Sequence, residues 1–502
     1  MKRIPLVLKD EKGIALVVAL LFLTLLSLLG IAGIITSSTD TKIAGNTLSS
    51  TKALYIAEAG LTRAEAELIN DLNNDQNIAN SSFAATSGAI DITPGSTAFY
   101  TVFNSISFGA GSYTIQFKNY GTAPNYESAI VLVRSTGTGP NSSTVTLERY
   151  LSVENISPWN NAVFAGAGAT GATINGNADI RGSVHILGTG LTSTNFAVNM
   201  SGGALIGNNY NGMDDALKAL IPSIGATEDL EAKLRVKQGK VGLSGAAQVG
   251  KSETTSTNKD TVGGVYVTDG YGGTAGASNV YSDNGTSNAY DLGDKVTFPS
   301  LNNPYTDPAT GTNYSTYAAF LTANAYIYSG DLNISDDTPT FTIGNANGSI
   351  TWDKSAATLT ISGLVKAGNI DLAKKGKVVT YAGKGTLYST GNIKIHDNLL
   401  PSSGFPATNA IGLIATQDIE IATVPGESHT KAAGAFYAEG KIKSGMQNKI
   451  LGTFVSNYFD MGSQVPKIYQ VPSLATNLPP GMPGATPVWV FTKKTWREIT
   501  KD

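Results

Sequence analysis

The chain has 502 residues, 15% of them charged, a formal net charge of −3, 56 glycines and no cysteine. The charged fraction lies well below the ~25% usual for soluble domains and glycine above its ~7% average, a balance that suits an exported β-rich protein. The missing cysteine excludes disulfides, thiolate metal sites and a thiol nucleophile, and the slightly acidic charge provides no basic field that would point to nucleic acid.

The first element is an apolar run of 22 uncharged residues from Ile14 to Ile35. As a helix it spans ~33 Å, enough to cross a hydrocarbon core of ~30 Å. Lys2, Arg3, Lys9 and Lys12 precede it, so the N-terminus is expected in the cytoplasm, with a single pass through the inner membrane and the bulk exported. A secretory signal has an apolar region of only ~7–15 residues before its cleavage site, which is shorter than this run. Beyond Thr36 no proline occurs until Pro94, and Leu54, Ala57, Leu61, Ala64, Leu68 and Leu72 advance by three or four residues. That spacing predicts one helix from about 14 to 72, membrane-soluble over 14–36 and amphipathic over 37–74, with Gly45 and Gly60 as weak points.

These residues carry a family resemblance. KGIALVVALLFLTLL, then TKIAGN at 41–46, then ALYIAEAGLTRAEAEL at 53–68 resembles the N-terminal region of PilX-type minor pilins, over about residues 5–72. The resemblance implies a leader at 1–13 and a prepilin peptidase that cuts between Gly13 and Ile14 and methylates the new N-terminus. It also implies assembly with other pilins, through the helix, into a type IV pilus or a related secretion filament. Major pilins carry a glutamate at the fifth mature position, held to pair with a neighbour's terminal amine; here that position is Val18. A buried carboxylate needs a partner, and a subunit with no neighbour ahead has none, so Val18 points to the filament tip. A signal-anchored surface adhesin outside any filament is the alternative.

Period-two patterns at 98–107, 112–120, 127–136 and 143–153 predict four antiparallel strands on the amphipathic half-helix, so that 75–157 completes an α+β pilin-like module. A mainly-β parallel solenoid is expected to follow as a C-terminal extension. Segments starting at 326, 364, 387, 413 and 436 repeat an apolar–polar–apolar pattern after a turn, with a degenerate copy at 454–462 and an outlier at 172–180. Leu332, Ile370, Ile393, Ile419 and Ile442 would stack inward, with Ile334, Leu372, Ile395 and Ile421 beside them. Asn333, Asp371, Lys394, Glu420 and Lys443 would form an outward ladder whose charges alternate from Asp371 onward. Asp331, Asn369, Asn392 and Asp418 share one turn position. Regular coils are expected over 326–465, the start of the solenoid with polar insertions and short helices at 214–220 and 226–237 over 158–325, and a proline-rich cap on the open end over 466–502.

Little of this reads as chemistry. His185, His396 and His429 are far apart in sequence, no cofactor is implied, and the repeat carboxylates alternate with lysines. AGKGT at 382–386 lacks the spacing of a phosphate loop. Asp283, Asp291 and Asp294 are either calcium ligands or part of a solvated loop. The expected function is a filament subunit that displays a solenoid for surface contact with an unidentified ligand; a β-helix carbohydrate enzyme is the remote alternative.

Overall fold

The computed structural model describes residues 11–75, 82–85, 88–91, 99–119, 128–167, 178–253, 258–374, 378–461 and 465–499. Helix α1 runs from Glu11 to Asp75, 65 residues or roughly 98 Å. It is helical straight through Gly45 and Gly60. Residues 13–48 are exposed, and below them one face is buried by Ala53, Ile56, Ala57, Leu61, Ala64 and Leu68. Leu54 is only partly buried, and the side chain of Leu72 lies outside the described residues. Gly60 has a packing role: a Cβ there would sit 2.1 Å from Ser135 Oγ.

Strands β1 (Tyr100–Phe108), β2 (Gly111–Asn119), β3 (Ser128–Thr138) and β4 (Thr144–Asn155) form the expected antiparallel meander against the helix. The sheet has a fifth strand that the sequence reading missed. Strand β5 (Trp489–Ile499) pairs antiparallel with β4, from Trp489 opposite Asn155 to Ile499 opposite Thr146. The last part of the expected cap therefore belongs to the first sheet. The solenoid-like portion does not follow the module but is inserted between its fourth and fifth strands.

The insertion is a parallel stack wound in two halves. Strands Val163–Ala167, Val184–Thr189, Lys233–Val236 and Gly264–Val267 succeed one another outward from the point of entry. Residues 283–325 then cross to the opposite end, and the chain winds back inward through Tyr326–Ile327, Thr358–Ala367, Lys384–Ser389, Ala410–Ala415, Lys431–Ser444 and Lys449–Asp460. The final coil lies on the first: Phe454 pairs with Val163, and Ile468 with Ile180. No open end exists at 466, and Lys467–Tyr469 is itself a coil strand, contrary to the expected cap. Asp214 ties the halves together, 3.1 Å from Lys431 and 2.7 Å from Lys449.

The true ends are covered in other ways. At one, the antiparallel strands Phe341–Gly344 and Gly348–Asp353 fold over Thr358–Ala367 and bury Trp352; they account for the long gap between the first two repeats. At the other, the Asn284 side chain accepts from Val265 N at 2.9 Å and donates to Val265 O at 3.1 Å. An amide side chain thereby pairs an edge strand that would otherwise expose its hydrogen-bonding groups. Short elements were harder to anticipate. Residues 214–220 keep one turn of helix, Asp215–Lys218. The helix expected at 226–237 is instead the strand Lys233–Val236, because stacking buries Leu234 and Val236 completely. A helix at Tyr317–Ala323, capped by Thr316, was not foreseen.

The expected register holds across the repeats except at Ile334, where a bulge between Asn333 and Ser335 breaks its pairing with Leu372. Leu332, Ile370, Ile393, Ile419 and Ile442 align and are buried. The outward column runs from Asn333 through Asp371, Lys394, Glu420 and Lys443, and Asp460 extends its alternation. Lys394 lies 3.9 Å from Glu420. The Asx column links coil to coil: Asp331, Asn369, Asn392 and Asp418 each accept from the backbone N–H one coil on, at Asn369, Asn392, Asp418 and Lys441, over 2.7–3.1 Å. This contact explains three glycines. A Cβ at Gly368, Gly391 or Gly440 would fall 2.3 Å from the accepting oxygen, although Gln417 fills the equivalent place before Asp418.

Asn392→Ala removes the acceptor of Asp418 N–H and is expected to cost ~1–3 kcal/mol. Gly391→Ala should cost at least as much alone and much less in an Asn369→Ala background, where the clashing oxygen is gone. Urea denaturation of the four-member cycle checks this; additive effects would count against the ladder.

Candidate functional site

The exposed half of α1 is the first candidate. Among the described residues it is the one helix long and apolar enough, by length and composition, to cross a membrane. Its polar side chains are satisfied within the helix: Thr24 donates to Leu21 O and Ser27 to Leu23 O, each at 2.8 Å, and Thr36 to Ala32 O at 3.0 Å. Such back-bonding lets a helix carry hydroxyls where no water can solvate them. Gly13 and Ile14 lie at the N-terminal end of its described residues. Val18 lies one turn further on and is 46% exposed.

The lower half of α1 meets the sheet through small residues. A Cβ on Gly137 would fall 2.3 Å from Ala53 O and 2.5 Å from Ala57 N. Only glycine admits this approach, which seats Ala53, Ala57 and Gly60 directly on β3. Polar contacts fix the rotation of the helix: Arg63 stacks 4.4 Å from the Phe103 ring and donates to Tyr113 Oη at 3.1 Å, and Arg149 pairs with Glu65. On the other face of the sheet Glu148, 1% exposed, is held by Arg134 at 2.6 Å and Arg497 at 2.8 Å. This carboxylate joins β3, β4 and β5.

The neck to the insertion is double. Ile156 N donates to Val488 O at 2.8 Å, Val488 N to Asn155 Oδ1 at 3.3 Å, and the buried Trp159 Nε1 to Pro483 O at 2.7 Å. Beside it Glu154 of β4 meets Lys233 at 2.6 Å and Arg235 at 2.8 Å, and Arg235 also reaches Asp291 at 2.9 Å. Burial opposes ionisation of Glu154, but the Lys233 and Arg235 charges outweigh it and hold the carboxyl well below its usual range. His185, whose Nε2 is 2.8 Å from Tyr290 Oη, is pushed down to about 3, first by burial and then by the charge of Arg235.

The structure does not bring the chemical candidates together. Asp283 pairs with Lys259, Asp291 with Arg235 and Asp294 with Lys237, so each candidate calcium ligand in the loop that covers the stack faces a cation from an earlier coil. His396 lies between Glu427 at 2.7 Å and Asp371 at 3.5 Å, while His429 bonds Ser428. Among the described residues no group of three His, Asp or Glu is arranged to hold a metal ion. The features missed were Glu148, the Glu154–Arg235 pair and β5. Alternation through VWVFTKKTWREI at 488–499 was the available signal for β5.

Two predictions concern the module and its neck. Gly137→Val should lift α1 from the sheet at a cost of ~1–3 kcal/mol or more, read as faster tryptic cleavage at Lys52 and Arg63. His185 and Glu154 both bind fewer protons folded than unfolded. Stability is therefore complete above about pH 6.5, the ordinary histidine value, and falls below it through His185, then through Glu154 below about 4.5. Each group contributes at most ~1.4 kcal/mol per pH unit. The Tm measured from pH 7.5 to 5.0 should decline, and His185→Gln should flatten that decline while lowering the Tm at pH 7.5.

Known proteins agree with these parts to different extents. The family model described as PilX N-terminal matches residues 12–62, and no curated protein matches the chain. The crystal structure of the competence-associated pilin ComZ from Thermus thermophilus is similar over 90% of this chain and 98% of that one, with 19% identity and a TM-score of 0.51. At that identity the likeness establishes the fold and not the role. Residues 12–62 are thus similar to a PilX N-terminal segment, and the chain shares a pilin-like fold built on that N-terminal helix.

Proposed function

We propose that the chain is a minor pilin, exported with α1 in the inner membrane, cleaved by a prepilin peptidase between Gly13 and Ile14, and assembled through that helix with other pilins. The observation that carries this reading is the unbroken 65-residue helix, whose exposed apolar half lies within the PilX N-terminal match at 12–62. Such a helix satisfies its own backbone both in lipid and in a bundle of like helices. Release from the membrane then requires only exchange of lipid contacts for protein contacts.

Placement at the tip of a type IV pilus or related filament is the second part of the proposal. Val18 leaves no carboxylate to neutralise a neighbour's amine. The inserted stack supports the same placement, because it is far larger than the five-stranded sheet that carries it and a shaft position would have to accommodate it on every side. At the tip it is free for surface contact. Nothing in the site geometry recommends a reaction, and the likeness to pilins favours a structural subunit.

Mass spectrometry of sheared filaments should find an N-terminus at Ile14, methylated. A variant Gly13→Arg should keep its leader and stay in the membrane. Val18→Glu would bury an unpaired carboxylate, a cost of several kcal/mol, and should reduce incorporation at least tenfold. Enhanced incorporation of Val18→Glu, or labelled protein spread along the shaft, would overturn tip placement. Intact leader in a surface-exposed, filament-free protein would favour the anchored adhesin instead.

A further inference from the structure

Where the crossing segment passes the returning chain, a cavity of about 230 Å³ opens beside the neck. Tyr305 and Tyr317 form its aromatic wall, and Ser300, Asn303, Pro304 and Thr486 line it further. None of its lining residues is charged. The Tyr305 ring is fixed before any ligand arrives: it lies 4.7 Å from Tyr317, edge to face, and 4.7 Å from Phe320. Tyr305 also pairs in a short hairpin with Tyr314. Tyr317 is anchored by its own hydroxyl, which donates to Met482 O at 3.3 Å.

The floor of the cavity is equally well held. The Glu439 carboxylate accepts from Ser300 Oγ at 2.5 Å and from Leu301 N at 2.8 Å, and Tyr437 Oη donates to it at 2.6 Å. Phe298 stacks on Tyr437 at 5.8 Å. The crossing segment is thereby pinned to the coil beneath it. By contrast, the Asn303 amide and the exposed Thr486 hydroxyl form no hydrogen bond within the chain among the described residues.

We propose that this cavity is a subsite for a neutral pyranose ring of a surface glycan. It rests on the reading that the inserted stack is displayed outside the cell. An ion would lose hydration in the cavity without gaining a counter-charge. The volume falls below the ~300–1,000 Å³ of sites for drug-sized ligands, which suits one ring. A pyranose offers a C–H face to the electron-rich face of Tyr305 and hydroxyls to Asn303 and Thr486. A preorganised aromatic wall also limits the ordering cost of a weak ligand.

Saturation-transfer NMR on the full chain, in a detergent without sugar headgroups, tests this with the methyl glycosides of glucose, galactose, mannose and N-acetylglucosamine. At least one should receive transfer at its ring C–H protons. Tyr305→Ala should weaken that binding at least tenfold. Ala485→Arg, placed on an exposed lining residue, should abolish it with the Tm unchanged, which separates loss of the site from loss of the fold. No transfer to any glycoside, undiminished transfer in both variants, or binding of a proline decamer in place of the sugars would overturn the proposal. Ala485→Arg should still enter filaments. Failure of filament entry by the wild type, with sugar binding intact, would count against the assembly reading alone.

Discussion

The pairing of β4 with β5 constrains everything beyond it. Asn155 and Trp489 are partners across neighbouring strands, so the chain must leave and re-enter the pilin-like sheet at nearly the same place. A stack wound in one direction could not meet this condition. About ten coils at ~4.8 Å would carry its end tens of ångströms from its start. The chain instead winds outward, crosses over and winds inward, and its last coil, Lys449–Asp460, comes to rest on its first, Val163–Ala167. The covering of both free ends and the bridge from Asp214 to Lys431 and Lys449 follow from that arrangement.

Charge at the neck serves the same closure. Glu148 and Glu154 are both on β4, and each is met by two cations. For Glu148 these come from β3 and β5; for Glu154 they come from the strand Lys233–Val236 of the insertion. A carboxylate withdrawn from water is stable only when its partners are in place. The two residues thus couple the returning strand and the first coils to a common strand.

Much of the architecture was legible because it depends on periodicity. The helical stripe from Leu54 to Leu68, the alternation in β1 to β4 and the column from Leu332 to Ile442 are local patterns whose burial follows from strand and helix geometry. The charge column was readable for the same reason, since a parallel stack places equivalent residues of successive repeats side by side. Segments ruled by partners distant in sequence were not readable. ATEDLEAKLRVK has helical composition, yet Leu234 and Val236 are buried as strand residues by coils that precede and follow it. The aspartates of 282–294 were compatible with either calcium ligands or a solvated loop. Each faces a lysine or arginine from another coil, and their neighbour Asn284 closes the edge of the stack.

The sequence by itself determined the periodic elements, and its resemblance to PilX-type pilins supplied the candidate processing site. The membrane-length helix, the strands β1 to β4 and the repeats from 326 onward were specified by near neighbours. Only the tertiary structure decided how these elements are joined: that the stack is inserted and not appended, that it runs out and back, and that Tyr305 meets Tyr317 beside a returning C-terminal segment. The physical reason is the range of the interactions. Periodicity records which face a residue buries, whereas the choice between two compatible strands depends on where the chain must return.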